Sequence, residues 1–490
     1  MERRSFLTAA GAFALPTILR SHGAKAATSR VRRNASTMLA TDEFFSDYAK
    51  AVAAMHQLPV DHPHSWRTQA RIHIKYCKHG GAGFTHWHRW YLSYFEQICA
   101  KLINKDSFSL AYWDWEGSRS NIPSPLFDVA NLNVESLNDE SNFQSDSWGP
   151  VPVTTVGKRG LKNDEKMTSI PQYSRAFLKS TIDGIRSQSS FSIFTGLLEG
   201  SPHNTAHVAS GSYRGANGHM GDGLSSLDPL FWLHHCNIDR IWAEWQASGN
   251  KTDDPKQSYA DNFYRSDEKL DDKATSTAAI ELKNFDYNYD TLTSAALAAV
   301  AKEFDIGELK QNRPNIFSNL KLTSPTTIAK AGGGGRASVN VETAINISVP
   351  GLLKVISDAR TFQAPHGFGL PRRAVEPRRI IARIEGVRPA AVRNLVIGVF
   401  VNCPYLSPDT PSDDKHCAGI YSFFGSHGVH AGHNPEMDIY VDLTGSVRTL
   451  AGEGRIGGNA LRVQLMTVAP GGDAPASTFI AFRSVTLLST

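Results

Sequence analysis

Two stretches of the chain each carry three histidines at spacings that suit metal binding, and these are His73, His79 and His88 in the first stretch and His203, His207 and His235 in the second. Neutral imidazole is a good ligand for copper, so two sets of three could hold two copper ions. Copper can exchange electrons with dioxygen. The residues therefore predict a copper enzyme that uses dioxygen.

The second set begins with a clear local pattern. Ser201 can cap a helix and Pro202 suits the first helical position, so a helix is predicted to begin here. His203 and His207 would then lie one turn apart on one face, where two rings can share a metal ion. A single pair of this kind fits a zinc site or a buried core as well, and the presence of the first set favours copper.

A predicted helix over residues 231–242 supplies the third histidine of the second set. His234 and His235 both lie on this helix, and their spacing alone does not choose between them. Asp239 follows His235 by one turn, so its carboxylate can reach the ring or steady the helix from behind the ligands.

The first set is spread over a helix, a loop and a second helix. His73 lies on a predicted helix face, Cys77 follows one turn later, His79 falls in a glycine-rich loop and His88 opens the next helix. Four neighbouring histidines compete with this set on spacing alone, and they are His56, His62, His64 and His86. We expect these four to be solvent-exposed or to support the ligands.

The sequence pattern divides the chain into a helical and a β-rich part. Apolar residues recur at helical spacing over residues 41–99 and 224–245, whereas residues 121–171 are rich in Asn, Ser, Asp and Pro and indicate a long surface excursion. Six later segments are short and β-branched or aromatic, and they are residues 380–384, 395–401, 420–424, 437–443, 461–468 and 479–487. Regular short strands of this kind predict a β-sandwich.

The ends of these parts can be placed approximately. Arg3 and Arg4 precede an apolar run and a small-residue cleavage site, which indicates a twin-arginine export signal and a mature protein in the periplasm or outside the cell. A run of four glycines predicts a flexible linker. We therefore expect a signal peptide at residues 1–27, a dicopper domain at 28–325, a glycine-rich linker at 326–345 and a β-sandwich at 346–490.

Composition limits the partners. A formal charge of +4 over 490 residues, without a basic run interleaved with aromatics, argues against nucleic acid. Beyond the N-terminus no stretch is long and apolar enough to span a membrane, and a homo-oligomer stays open.

Among the five cysteines, Cys403 and Cys417 bracket a short loop and could form a disulfide, whereas Cys99 is expected to be a buried thiol.

Longer motifs around the histidines resemble those of a known family. The block His79-x4-Phe-Thr-His-Trp-His88-Arg-x2-Leu-x3-Glu96 resembles the copper A signature of the tyrosinase, catechol oxidase and molluscan haemocyanin superfamily. The block from Asp228 to Asp239 resembles its copper B signature, and residues 55–77 are similar to plant polyphenol oxidases. Together with the export signal, the likeness implies an exported bacterial member with a plant-like N-terminal half.

This resemblance implies a mainly α catalytic domain, with a four-helix bundle around a dicopper centre, and a C-terminal β-sandwich that shields the pocket with one side chain. It assigns His73, His79 and His88 to copper A and His203, His207 and His235 to copper B. His235 is preferred to His234 because the family ligand stands four residues before the aspartate. A thioether between Cys77 and His79 is also implied, and residues 421–425 are a candidate source of the shielding side chain.

The implied activity is a tyrosinase reaction on small phenols. Dioxygen would serve as co-substrate, monophenols would be hydroxylated to o-diphenols, and o-diphenols would be oxidised to o-quinones. Glu199 and Asn204 would hold a water that accepts the phenol proton, and Leu224 and Val208 would line the substrate entrance. If Glu199 and Asn204 only pack, the alternative is a catechol or o-aminophenol oxidase without hydroxylase activity. A haemocyanin-like oxygen-binding protein and a zinc-binding structural protein are further alternatives.

Overall fold

The structure is a computed structural model of the full chain, and it describes residues 30–137, 153, 155–292, 325–357, 378–390, 392, 394–424, 436–457, 459–470 and 474–490. The predicted signal peptide at residues 1–27 lies outside the described residues. Within the described part of the chain, none of the helices is both long and apolar enough to cross a membrane.

The N-terminal part is mainly helical, as predicted. Its helices are α1 (Glu43–Gln57), α2 (Trp66–Tyr76), α3 (Gly83–Leu102), α4 (Pro125–Asp128), α5 (Lys179–Arg186), α6 (Phe191–Leu198), α7 (Asn204–Gly211), α8 (Leu230–Ala247) and α9 (Ser276–Ile280). Asp42 and Ser65 cap α1 and α2, because each side chain accepts a backbone N–H of the first turn. Helices α3 and α8 pack against each other and are buried on nearly every side, so the histidines that they carry lie inside the protein.

A small parallel sheet ties distant parts of the helical region together. Strand β1 (Arg30–Asn34) lies between β2 (Ala111–Tyr112) and β3 (Tyr287–Tyr289). Arg32 of β1 is fully buried and donates from Nε to the Glu96 carboxylate of α3 at 2.9 Å. The sheet therefore braces the helix on which His88 lies.

The C-terminal part forms two four-stranded antiparallel sheets, ordered β5-β10-β7-β8 and β4-β11-β6-β9. The strands are β4 (Thr326–Ser338), β5 (Glu342–Ser348), β6 (Ile380–Val387), β7 (Val396–Val401), β8 (Cys417–Ser422), β9 (Met437–Asp442), β10 (Ala460–Val468) and β11 (Phe479–Ser489), with helices α10 (Leu352–Ser357) and α11 (Thr444–Gly452) between strands. The last six strands are the six that the sequence predicted. Their apolar side chains fill the core between the two sheets.

The predicted linker at residues 326–345 is wrong, because most of it lies in β4 and the start of β5. The glycine run pairs with β11, with Gly335 opposite Phe482 and Gly332 opposite Ser484. A Cβ on Gly335 would come within 2.5 Å of the Phe482 ring. The glycines therefore leave room for an aromatic side chain to cover the strand, which composition alone does not distinguish from a flexible segment.

The predicted disulfide between Cys403 and Cys417 is also wrong. Both residues are buried free thiols, and Cys99 is one too, as expected. Cys417 stands opposite Phe400 in the β7–β8 ladder. Cys403 lies three residues farther along, beyond the end of β7, so the two cysteines do not face each other.

One sheet of the sandwich packs against the helical part. Val396 and Phe400 of β7, Ile420 of β8 and Met466 of β10 belong to the apolar core of the helices and not to the core between the sheets. Strand β8 also contacts α7 and the turn that precedes α7. Strands β7 and β8 of this sheet are therefore buried on both faces, and the edge strand β8 lies beside the second set of histidines.

Candidate metal centre

The structure brings the predicted histidines into two facing clusters. One contains His73, His79 and His88, the other contains His203, His207, His234 and His235, and within each cluster the ligating ring atoms lie within 4.8 Å of one another. The clusters meet where the rings of His88 and His235 stack, with centroids 4.2 Å apart and planes at 7°. His79 and His203 approach to 5.5 Å on another side. The two clusters thus adjoin, and six of the seven rings are buried.

The first cluster combines two helices with a loop between them. His73 lies on α2, and Cys77 ends that helix by donating its backbone N–H to the His73 carbonyl at 3.1 Å. His79 lies in the loop, and His88 lies on α3. The thiol of Cys77 is within hydrogen-bonding reach of the His79 ring.

The second cluster is not built as the local sequence signals predicted. Ser201 does not cap a helix; the turn Glu199–His203 is π-helical and continues directly from α6 into α7. Pro202 lies inside this turn. Proline has no N–H to give to an α-helical ladder, and a wider π turn accommodates it. His203 and His207 still face each other, with ring centroids 4.7 Å apart.

Hydrogen bonds at Nδ1 orient five of the rings. The acceptors are Gly223 O for His73, Phe84 O for His88 and Met220 O for His207, all at 2.8 Å, with Asn204 Oδ1 for His203 at 2.9 Å and Glu199 Oε1 for His79 at 3.2 Å. A carbonyl or carboxylate oxygen can only accept, so the proton of each neutral ring lies on Nδ1 and Nε2 keeps its lone pair. For His79, His88 and His203, Nε2 is buried and has no hydrogen-bond partner among the described residues. These atoms are suited to bind a metal ion.

The structure adds His234 to the second cluster, although the sequence analysis set it aside. Its Nδ1 accepts a hydrogen bond from Trp115 Nε1 at 3.1 Å. The neutral ring must then carry its proton on Nε2, which leaves that atom without a lone pair to offer. His235 instead approaches His207 through Nε2 at 3.3 Å. The hydrogen bond from Trp115 to His234 therefore favours His235 as the metal ligand.

Burial and neighbouring charges set the protonation of the rings. Burial lowers the pKa of His88, His203, His207 and His235 well below the usual value, so these rings stay neutral and able to bind metal. His79 differs: burial alone would lower its pKa, but hydrogen bonds with Cys77 and Glu199 raise it to about 10. The Cys77 and Glu199 side chains therefore favour positive charge at this end of the centre, and the His79 ring must release its Nε2 proton to bind a metal ion.

Two phenylalanines separate the histidines from the remaining core. Phe84 lies 4.7 Å from His203 and 5.1 Å from His88, measured between ring centroids. Phe231 lies 4.9 Å from His73 and 4.3 Å from His235. Both phenylalanines are fully buried. Their rings keep the space between the clusters dry on these sides.

Glu199 and Asn204 lie at the centre, but their polar atoms already have partners. Glu199 Oε1 accepts from His79 Nδ1 and from the Gly80 backbone N–H at 2.6 Å, so the carboxylate holds the loop of His79. Asn204 accepts from His203 at Oδ1 and donates from Nδ2 to the carbonyl of Ser422 at 2.9 Å. Sequence reasoning gave these residues a water-holding role and missed these contacts, because both depend on distant segments.

The Asp239 carboxylate of α8 braces α8 against α3 and, among the described residues, is not hydrogen-bonded to a histidine of either cluster. Its Oδ1 accepts from Arg89 Nε at 2.6 Å, and its Oδ2 accepts from the hydroxyls of Tyr287 and Tyr289 at 2.6 Å. Within the described residues the His235 Nδ1 has no hydrogen-bond partner. Of the two roles predicted for Asp239, steadying the helix agrees with the structure and reaching the His235 ring does not.

The competing histidines lie outside the two clusters. His56 packs against Trp66, His64 bonds the Arg265 carbonyl at 2.8 Å, and His86 bonds the Ala82 carbonyl at 2.7 Å. His62 contacts Glu268 at 3.8 Å near the surface.

Comparison with known proteins agrees with this geometry. Residues 47–248, which include every histidine of both clusters, match the family model described as "Tyrosinase: Common central domain of tyrosinase". Residues 47–248 form a central domain of the tyrosinase family. A polyphenol oxidase of Spinacia oleracea is 31% identical over 270 residues, which are 48% of this chain and 42% of that protein. A (+)-larreatricin hydroxylase of Larrea tridentata is 30% identical over 334 residues, which are 62% of this chain and 55% of that protein. The chain thus spans about half the length of the curated relatives that it matches.

Solved structures of the family share the fold. Latent apple tyrosinase superposes with a TM-score of 0.60 at 20% identity, over 95% of this chain and 98% of that one. A latent aurone synthase superposes with a TM-score of 0.60 at 19% identity, over 94% of this chain and 90% of that one. At these identities the likeness concerns the fold, and it extends to the C-terminal sheets.

In this chain, the C-terminal sandwich reaches into the metal centre. Phe424 follows β8 and stacks on His207, with centroids 3.9 Å apart and planes at 23°. It also lies 5.4 Å from His79 and 6.0 Å from His203. Leu224 and Val208, the predicted entrance residues, are buried in this arrangement. The ring of Phe424 thus contacts histidines of both clusters.

Proposed function

We propose that the chain is a dicopper oxidase that acts on phenols with dioxygen. The observation that carries the proposal is the pair of facing histidine clusters, in which hydrogen bonds at Nδ1 leave Nε2 atoms directed into one space. His73, His79 and His88 would hold one copper, and His203, His207 and His235 the other. The bound copper pair would activate dioxygen and take up the electrons that the phenol loses on oxidation.

The protein's own residues would orient the substrate and exclude water. Phe84 and Phe231 lie between the clusters and the helical core, so a phenol would approach from the side on which Phe424 stacks on His207. A substrate ring would replace Phe424 against His207, because a phenol offers the same flat aromatic face. Leu224 and Val208 would line the entrance once the ring of Phe424 has left.

Hydroxylation of a monophenol also requires a base for the phenol proton. Glu199 would serve through a water on its Oε2, since its Oε1 is engaged by His79 and Gly80. Asn204 would hold the same water with Nδ2, but that group now donates to the Ser422 carbonyl. We therefore propose that withdrawal of Phe424 is sufficient for o-diphenol oxidation and that hydroxylation appears when the sandwich also releases Asn204. A catechol oxidase without hydroxylase activity is the alternative.

We propose that Cys77 and His79 form a thioether, and the interaction of the Cys77 side chain with the His79 ring supports this proposal. Such a bond would fix the ring at the end of an otherwise glycine-rich loop. Peptide mass spectrometry tests it, because bond formation removes two hydrogens and joins the two residues permanently.

The copper assignment is tested by counting copper in purified full-length variants. His235→Gln is expected to retain about one copper per chain, and the matched neighbour His234→Gln about two, because Trp115 engages the Nδ1 lone pair of His234 whereas His235 Nε2 lies 3.3 Å from His207 Nε2. The wild-type protein should oxidise catechol and hold two coppers. A wild type that binds zinc but no copper, or copper without catechol oxidation, would contradict the proposal.

Export through the twin-arginine route is part of the proposal. It is supported by Arg3, Arg4 and the apolar run that follows them. Residues 1–27 fused to a reporter should direct it across the membrane, and the double change of Arg3→Lys and Arg4→Lys should retain it inside. Equal export of both fusions would refute this route.

A further inference from the structure

One short loop contacts a histidine of each cluster. The Met220 carbonyl accepts from His207 Nδ1 and the Gly223 carbonyl accepts from His73 Nδ1, both at 2.8 Å. His73 and His207 belong to different clusters and to different helices. Backbone carbonyls only three residues apart thus set the orientation of one ring in each cluster.

The loop holds these two carbonyls in a fixed relation. Residues His219–Gly221 form a 3₁₀ turn, the Asp222 N–H donates to the His219 carbonyl at 3.1 Å, and the Asp222 carboxylate accepts from the Gly223 N–H. All these residues are buried. A displacement of one carbonyl is therefore transmitted to the other.

Contacts outside the clusters fix the position of the loop. A Cβ on Gly211, at the end of α7, would overlap the backbone nitrogen of Gly221. On another side, the hydroxyl of buried Thr155 bonds His219 Nδ1 at 2.6 Å. Among the described residues Thr155 hydrogen-bonds neither cluster. It can affect the histidines only through the loop.

We infer that the 219–223 loop couples the two metal sites, with Thr155 and Gly211 as positioning residues. This inference rests on the proposed dicopper function. An ion held by His207 fixes the loop through Met220, and the loop then presents His73 in its ligating orientation through Gly223. Because coupling between two binding equilibria is reciprocal, an ion bound at His73 favours binding at His207 by the same factor.

The test measures metal binding and not activity. Full-length apoprotein is titrated with copper(I) against a chromophoric chelator, and native mass spectrometry counts chains with no, one or two ions. For the wild type we expect the empty and two-copper forms to dominate at half loading. Thr155→Val should weaken both binding steps about three- to tenfold, since a buried hydrogen bond behind the ligands is lost, and should raise the one-copper fraction at least threefold.

Matched variants separate coupling from a loss of structure. Thr155→Ser keeps the hydroxyl and should restore the wild-type distribution. Gly211→Ala should act as Thr155→Val does, whereas Gly445→Ala on α11, where a Cβ would meet nothing within 4 Å, should not. An unchanged one-copper fraction in Thr155→Val, or a wild-type titration that fits independent sites, would overturn the inference. A wild type that binds fewer than two coppers would instead contradict the proposed function.

Discussion

Phe424→Ala tests whether the sandwich shields the metal centre. The ring of Phe424 must leave His207 before a phenol can take its place. Losing the apolar contact and the stacking costs about 2 kcal/mol. Because 1.36 kcal/mol corresponds to a factor of ten, removal of the ring should raise kcat/KM for catechol about 30-fold.

The assay is the initial rate of o-quinone formation by the copper-loaded, full-length variant. Phe479→Ala is the matched control, because Phe479 lies on β11 of the same sandwich and packs on Arg336, away from the histidines. It should leave kcat/KM unchanged. Copper content and thermal unfolding are measured for both variants, so that loss of metal or structure is recognised.

The reasoning would be refuted by a Phe424→Ala variant that holds two coppers and oxidises catechol at the wild-type rate. If removal of the C-terminal part then activated the protein, another side chain would be the shield. If it did not, the pocket would be accessible without any movement of the sandwich.

Three further predictions follow from buried polar groups. In Phe424→Ala, the rate of catechol oxidation should rise at least threefold more than the rate of tyrosine hydroxylation, because the Ser422 carbonyl still accepts a hydrogen bond from Asn204. An equal rise in the two rates would contradict the proposed role of Asn204. Burial, with a smaller contribution from Arg67, lowers the pKa of His56 to about 4, so the unfolded chain takes up this proton below pH 6.5 and the folded protein does not. The unfolding free energy should therefore fall as the pH drops from 6.5 to 4. In urea unfolding of the apoprotein, His56→Gln should reduce the dependence of the unfolding free energy on pH by about 1.4 kcal/mol per pH unit. An unaltered pH dependence would show that His56 does not contribute. Asp239→Asn leaves buried Arg89 without its carboxylate partner, whereas Arg32 keeps Glu96, and it should lower the unfolding free energy by about 3–5 kcal/mol. Asp183→Asn, in an exposed pair with Lys179, should cost less than about 1 kcal/mol. Equal losses in the last two variants would argue against the bracing role.

The sequence predicted those features that depend on local pattern. The six later strands alternate apolar residues with turn signals, and the structure has a strand at each of them. The i, i+4 spacing marked His203 and His207 as a pair on one helix face, whereas the resemblance to the family motifs assigned the full set of six. Cys99 was expected to be buried because it lies in a run of apolar residues at helical spacing.

Features that depend on distant contacts could not be predicted in this way. The choice between His234 and His235 turns on Trp115, which is 119 residues from His234 along the chain. Ser201 and Pro202 gave a genuine helix-start signal, but the preceding helix α6 runs through it as a π turn. The four glycines predicted a linker, and only the ring of Phe482 reveals why a strand needs them.

The helical segment that carries His203 and His207 is also the surface on which the sandwich docks. A Cβ on Gly196 would lie 2.6 Å from the Tyr440 ring, and a Cβ on Gly200 would overlap the ring of Tyr421. Asn204 follows four residues after Gly200, and its amide bonds the Ser422 carbonyl.

This four-residue spacing means that docking and ligation use neighbouring faces of one segment. Movement of the sandwich away from Gly196 and Gly200 must withdraw Phe424 from His207 and also release Asn204. Substrate access and the group proposed to hold the water are therefore controlled by one movement. Substitution of Phe424 separates the two effects, because it opens the approach and leaves the amide bound.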